Sequence, residues 1–373
     1  MNRPGALPPG TRIADLELQR CIASSPLGFD YLAHSPGSVT PCRVVEYLPE
    51  PFAERRGMQV TVRSGAAAAF DAGRRAFQLD ADRFALPRHD ALMVARRLLV
   101  ERGTAYVQLP WIEGQPLADE LERLGMPVDP ADVRGWLRAI GGALAQLHRG
   151  SVVHGGVSAG RVMRLASGHV LLGLPDSARC ALAPWQPGLV DVDDPSLAPE
   201  QLLDPAARAR AIGPWTDVYS LATLAHLAVA SSLPPPARHR DACLSRPSLV
   251  NFAGGRWDAA MLLAIDRALS PDPASRPRTM DDFMASMGLL ERRVRPRVPA
   301  PSGTDTPPSP ATIEAPAPPA ERRAEAEPPT PRISAWQILI VVLFAVLASA
   351  AIWAAARQRP SEMPVSVAVR SKG

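Results

Sequence analysis

The stretch LHRGSVVHGGVSAGRVM, Leu147 to Met163, decides how the rest of the chain is read. A run in which Trp136, Ile140, Leu144 and Leu147 recur at helical spacing leads into it, so a helix over about 133–147 is expected. From Gly150 through Pro175 there is no Asp or Glu at all. Three segments follow in order: LAPEQL from Leu197, GPWTDVYSLATLAHLA from Gly213, and DRALSPDPASRPRTMDDF from Asp266. Three precede it: IASSPLGFDYLAH from Ile22, CRVVEYLPE from Cys42, and QLPWIEGQPLADEL from Gln108. The front of the chain carries short β-like runs (44–48, 58–62, 104–109). The back reads as helices over 133–147, 215–230 and 258–269. The expectation is an α+β body of two lobes, strand-rich first and helix-rich second.

Taken together and in order, these seven segments resemble bacterial serine/threonine protein kinases of the eukaryotic-like type, with coverage from about Ile13 to Leu290. The resemblance implies a two-lobed protein-kinase-like fold, with the kinase-like domain at 11–292, a small lobe over about 11–109 and a larger lobe over about 115–292. It also implies structural roles. Glu200 of LAPEQL should pair with Arg276, Asp217 should hold the catalytic-loop backbone, and His154 should be a packing residue.

The residues of phosphoryl transfer are another matter. That reaction needs phosphates held, metal ions held by oxygen ligands, and an acid to position the attacking hydroxyl. Aligned on the family, the glycine-rich loop keeps one glycine, Gly28, with Ala23 and Ser25 at the other two positions, and Pro26 removes an N–H. The phosphate-binding lysine becomes Val45. No lysine elsewhere replaces it, because the only one in the chain is Lys372. Arg43 falls on the same strand face as Val45. The helix glutamate becomes Gly73, with Asp71 and Asp80 the nearest acids. The catalytic aspartate becomes Gly156 and the metal-binding asparagine becomes Arg161, a cation where a cation should be held. The metal aspartate, counted back from Ser177-Ala178-Arg179, falls on Leu174. A two-residue slip would place Asp176 there instead, so Gly28 and Asp176 are the remnants through which a nucleotide would be held.

Composition bounds the partners. The chain has 373 residues, 46% apolar, with a formal charge of +4, too small to call for nucleic acid. Four scattered cysteines (Cys21, Cys42, Cys180, Cys243) argue against a zinc site or a disulfide framework. The N-terminus has no apolar run, so no signal peptide is expected. Residues 293–334 are Pro- and Ala-rich and read as an extended linker. Ala335 to Ala356 is uncharged, and about 22 residues at roughly 1.5 Å each span a bilayer core of about 30 Å. Trp336 and Trp353 sit near its ends. A single transmembrane helix at 335–356 is expected, with the domain in the cytosol, the protein in the cytoplasmic membrane, and 357–373 a short extracytoplasmic tail.

Three functions fit. The first is an inactive kinase-like domain (a pseudokinase) acting as a membrane-tethered scaffold or regulator, with no cofactor and a cytosolic or membrane protein, such as a genuine kinase, as partner. The second is a serine/threonine kinase or ATP-binding protein of unorthodox residual activity, using ATP and Mg²⁺ through Asp176 and arginines. In the third, the linker hydroxyls around Thr304, Thr306, Ser309 and Thr312 are phosphorylated and read by a phospho-reader.

Overall fold

Six strands form the core of the smaller lobe: β1 (Arg12–Ile13), β2 (Leu16–Ser25), β3 (Gly28–His34), β4 (Cys42–Tyr47), β7 (Arg97–Glu101) and β8 (Thr104–Pro110). They pair antiparallel in the order β1-β2-β3-β4-β8-β7. Between β4 and the first helix lies a separate hairpin, β5 (Ala53–Arg56) and β6 (Gln59–Val62). This computed structural model describes residues 5–290 apart from 86–88, 125–127, 240–247 and 254. The linker at 293–334, the apolar run at 335–356 and the tail at 357–373 lie outside the described residues. Among the described residues no helix is long and apolar enough to cross a membrane.

Strand alternation explains how the sheet is used. On β4, Cys42 and Val44 point to one face and pack with Leu7, Ile13, Leu16, Leu18 and Tyr31. Arg43, Val45 and Tyr47 point to the other face, toward the helix and the cleft. The sheet's two outer strands are tied by side chains. The Glu101 carboxylate accepts from Ala14 N at 2.9 Å, Arg97 pairs with Asp15 at 2.7 Å, and Arg102 donates to Arg12 O at 3.0 Å.

Helix α1 (Ala67–Arg83) starts in an alanine run and lies against the sheet. Its inward residues Phe70, Gly73, Phe77, Asp80 and Ala81 follow the 3.6-residue period. Tyr47 packs against both Phe70 and Phe77, with ring centroids 5.3 and 5.6 Å away.

The larger lobe begins after β8. Strands β9 (Gly114–Pro116), β10 (Val162–Leu165) and β11 (Val170–Leu172) make a small sheet. The helices are α2 (Leu117–Leu124), α3 (Pro130–Arg149), α4 (Ser177–Leu182), α5 (Pro205–Ala211), α6 (Pro214–Ala230), α7 (Leu249–Ala253), α8 (Ala259–Ala268) and α9 (Met280–Ser286). Helix α3 is launched by Asp129, whose side chain accepts from Ala131 N, with Pro130 at the first helical position. Trp136, Ile140, Leu144 and Leu147 all face the core. Helix α6 is apolar nearly all round and is buried along most of its length, as a central helix must be. The expected α+β, two-lobed architecture is what the chain adopts.

Candidate functional site

The loop between α3 and β10 is held from beneath by Asp217, in the first turn of α6. Its carboxylate is fully buried and accepts from His154 N at 2.8 Å and Gly155 N at 2.7 Å, and it meets His148 Nε2 at 2.8 Å. Gly155 has φ +66, a left-handed turn suited to glycine, which lets both amides reach one carboxylate. The His154 ring is buried edge-on to Phe84, 5.4 Å between centroids. Gly156 N donates to Nδ1 at 3.2 Å, so Nε2 carries the proton and donates to Gly173 O at 2.8 Å. Burial, opposed by Asp217, lowers the imidazole pKa, in keeping with this neutral tautomer.

Glu200 and Arg276 are brought together deep in the larger lobe. The guanidinium donates Nη1 to Oε1 at 2.9 Å and Nη2 to Oε2 at 3.1 Å. Thr216 Oγ1 adds a third bond to Glu200 at 2.8 Å. Arg276 also donates to the carbonyls of Ser270 and Pro271 and lies over the Tyr219 ring, 4.7 Å from its centroid.

A cleft of about 520 Å³ lies between the lobes. Its back wall is apolar: Val45, Phe77, Met93, Val107, Leu109 and Met163. Its mouth is charged, with Arg43 ion-paired to Asp30 across neighbouring strands. Val45 packs beside Phe77 against one shared cluster, an apolar contact where a lysine–carboxylate pair would be needed. Gly73, aligned with the helix glutamate, sits within α1. Gly73 does not line the cleft; it faces Tyr47 and Leu182, where an added Cβ would overlap the Tyr47 hydroxyl. The helix turns Phe77 and Asp80 toward the cleft instead.

The hairpin joining β2 and β3 stands where the glycine-rich loop aligns. Its tip, Pro26–Leu27, is bound to the chain after β4: Leu48 N donates to Leu27 O at 2.7 Å, and Glu50 N to Pro26 O at 3.0 Å. Leu27 N is taken by Ser25 Oγ at 3.2 Å, and Pro26 has no N–H to offer. Leu27 packs with Tyr47, Leu48, Phe70 and Leu182. Gly28, at φ +146, lies so close to Glu46 O that no side chain fits, so this surviving glycine serves the strand crossing.

On the larger-lobe side, Gly156 has room for a Cβ, the nearest atom being Pro175 Cα at 3.6 Å. Its missing carboxylate is therefore a matter of sequence and not of crowding. Leu174, which counting back from Ser177 puts at the metal-aspartate position, lies between β11 and α4 and lines the cleft. Gly173 directly follows β11 and is the residue bound to the catalytic loop, through Gly173 N to Arg161 O at 2.7 Å and His154 Nε2 to Gly173 O. Asp176 sits at the start of α4, where it accepts from Arg161 Nη2 at 3.3 Å and Arg179 Nε at 2.8 Å. Among the described residues no cluster of His, Cys, Asp or Glu is placed to hold a metal ion.

The sequence names Asp80 only as one of the acids nearest Gly73 and does not give its partner. Asp80 reaches from α1 to the first residue of α4, accepting from Ser177 N at 3.0 Å and Ser177 Oγ at 2.7 Å. A lone acid at helical spacing from Phe70, Gly73 and Phe77 was the available signal. Burial pushes its carboxyl up to about 6, against the two Ser177 bonds, with the Asp176 charge adding to the rise. The folded state thus holds a proton that the unfolded chain has released between about pH 4 and pH 6. Stability from this group falls as pH rises through that window, and the whole cost remains above it. Asp80→Asn keeps one acceptor for Ser177 and removes the buried charge. It should raise unfolding stability at pH 7.5 by roughly 1–3 kcal/mol and leave it unchanged near pH 4. Denaturant midpoints at the two pH values measure this; equal effects at both would refute it.

No protein-family model matches the sequence, and no curated protein matches it. Solved structures do match. The apo form of PpkA-294 superposes with a TM-score of 0.68 at 26% identity, over 76% of this chain and 99% of that one. The PknI kinase domain of Mycobacterium tuberculosis superposes with a TM-score of 0.56 at 22% identity, over 76% and 98%. The second of these neighbours is a kinase domain. The chain has the two-lobed protein-kinase-like fold.

Proposed function

We propose that this protein is a catalytically inactive kinase-like domain, tethered to the cytoplasmic membrane by residues 335–356, that works by binding a protein partner on the cytosolic side. One observation carries the reading. Arg161 occupies the metal-holding position of the catalytic loop, and its charge is spent on Asp176, the acid that the displaced alignment would offer a metal. A divalent cation approaching Asp176 meets two guanidiniums first, Arg161 and Arg179. The apolar Val45–Phe77 contact and the occupied hairpin tip support the same reading. No cofactor belongs to this function, and nucleic acid is not its partner. The partner's class is a cytosolic or membrane protein, such as a genuine kinase or a phospho-reader that docks on a phosphorylated linker.

The runner-up, an unorthodox kinase or ATP-binding protein, draws on Asp80 and Asp176, both of which line the cleft. Thermal unfolding with ATP, alone and with Mg²⁺ or Mn²⁺, separates the two. The inactive reading expects no metal-dependent rise in midpoint. A rise that Asp176→Ala abolishes would establish the runner-up. The tether is checked on the same preparation: the chain should stay with membranes through alkaline extraction and leave them when 335–373 is deleted. A full-length chain in the alkaline wash would remove the tether from the proposal.

A further inference from the structure

The dipeptide Asp176–Ser177 is gripped from both lobes at once. From the smaller lobe, Asp80 of α1 accepts the Ser177 amide and hydroxyl. From the larger lobe, Arg161 of the catalytic loop donates to Asp176 Oδ2, and Arg161 Nη1 leans toward Leu174 O at 3.5 Å. Arg179, one turn on, pairs with the same carboxylate oxygen and ties the helix forward to Leu189 O at 2.9 Å. Apolar contacts continue the grip. Ala178 and Leu182 share a buried cluster with Phe70 of α1 and with Leu27 of the hairpin tip, and the absence of a side chain at Gly73 lets Leu182 seat against the helix.

We infer that α4 is a strap that fastens α1 to the catalytic loop, with the Asp80–Ser177 hydrogen bonds and the Asp176 ion pairs together bridging the two lobes in place of a bound ligand. The cleft is thereby held in one arrangement with nothing in it. The strap is short, and its polar grip rests on partly exposed groups: the side chains of Arg161 and Arg179 are each 33% exposed and that of Asp176 is 23% exposed. It is therefore an element that opens locally, below the cost of global unfolding. Opening it uncovers the Phe70–Phe77 face of α1.

Hydrogen exchange of the full-length chain in detergent micelles tests this without nucleotide, so its failure is separate from failure of the non-catalytic reading. Asp176→Ala should speed amide exchange about tenfold both in 177–182 and in 70–81, and leave the core of α6 unchanged. Arg161→Ala should act on the same two segments, and the double variant should match the larger single effect, because both remove one shared grip. If either variant fails to fold, Asp176→Asn and Arg161→Gln read the same segments. Faster exchange confined to 177–182, or additive effects in the double variant, would overturn the strap.

Discussion

Arg276→Ala should destabilise the domain by about 3–5 kcal/mol, the usual consequence of breaking a buried ion pair from one side. The reason is what stays behind. Glu200 is 3% exposed, and without the guanidinium its carboxylate retains only the Thr216 hydroxyl bond. The carbonyls of Ser270 and Pro271 lose donors, and Tyr219 loses the cation over its ring. Arg276→Lys should recover little, since one ammonium cannot meet both Glu200 oxygens and two carbonyls with the same geometry. Urea denaturation followed by circular dichroism measures the loss. A loss below about 1 kcal/mol would mean the pair is not the brace that its geometry indicates.

Gly73→Glu should be at least as damaging. A kinase lineage reading would call it a restoration of the helix glutamate, and together with Val45→Lys a restoration of the pair. The packing predicts otherwise. An added Cβ at Gly73 overlaps the Tyr47 hydroxyl and lies 2.9 Å from Leu182 Cγ, and the carboxylate would follow it into the cluster of Phe70, Tyr47 and Leu182. Overpacking alone costs about 1–3 kcal/mol, and an unpaired buried charge adds several more. The single and double variants are expected to be insoluble or unfolded, with Gly73→Ala showing the smaller steric cost alone. A soluble double variant with an undiminished denaturation midpoint would show that α1 can rotate to present residue 73 to the cleft.

The fold was legible in the sequence because its landmarks are local. Trp136 to Leu147 announce a helix by period, and the Leu197–Leu202 and Gly213–Ala228 segments carry their own spacing. The missing acids were legible for the same reason: no shift of alignment supplies a carboxylate between Gly150 and Pro175. What could not be read is where distant segments meet. Asp80 and Ser177 are 97 residues apart, and nothing in either neighbourhood names the other. Gly73 aligns with the helix glutamate, but the rotation of a helix is set by its packing, and residue 73 meets Tyr47 and Leu182. Arg161 looked like a lost metal ligand; its bond to Asp176 shows a new employment for the position.

The smaller lobe's outer strands have one more bearing on how this protein keeps company. An open sheet edge invites another chain to add itself as the next strand, the route by which many folded domains associate or aggregate. Here Ala14 N and Arg12 O, the groups β1 would extend to a newcomer, already serve Glu101 and Arg102 from the far side of the same sheet. With Arg97 and Asp15 beside them, these contacts draw the sheet toward a barrel. At that seam an assembling protein meets the side chains of Glu101, Arg102 and Arg97 where two backbone groups would otherwise await it, so recognition there turns toward shape and charge.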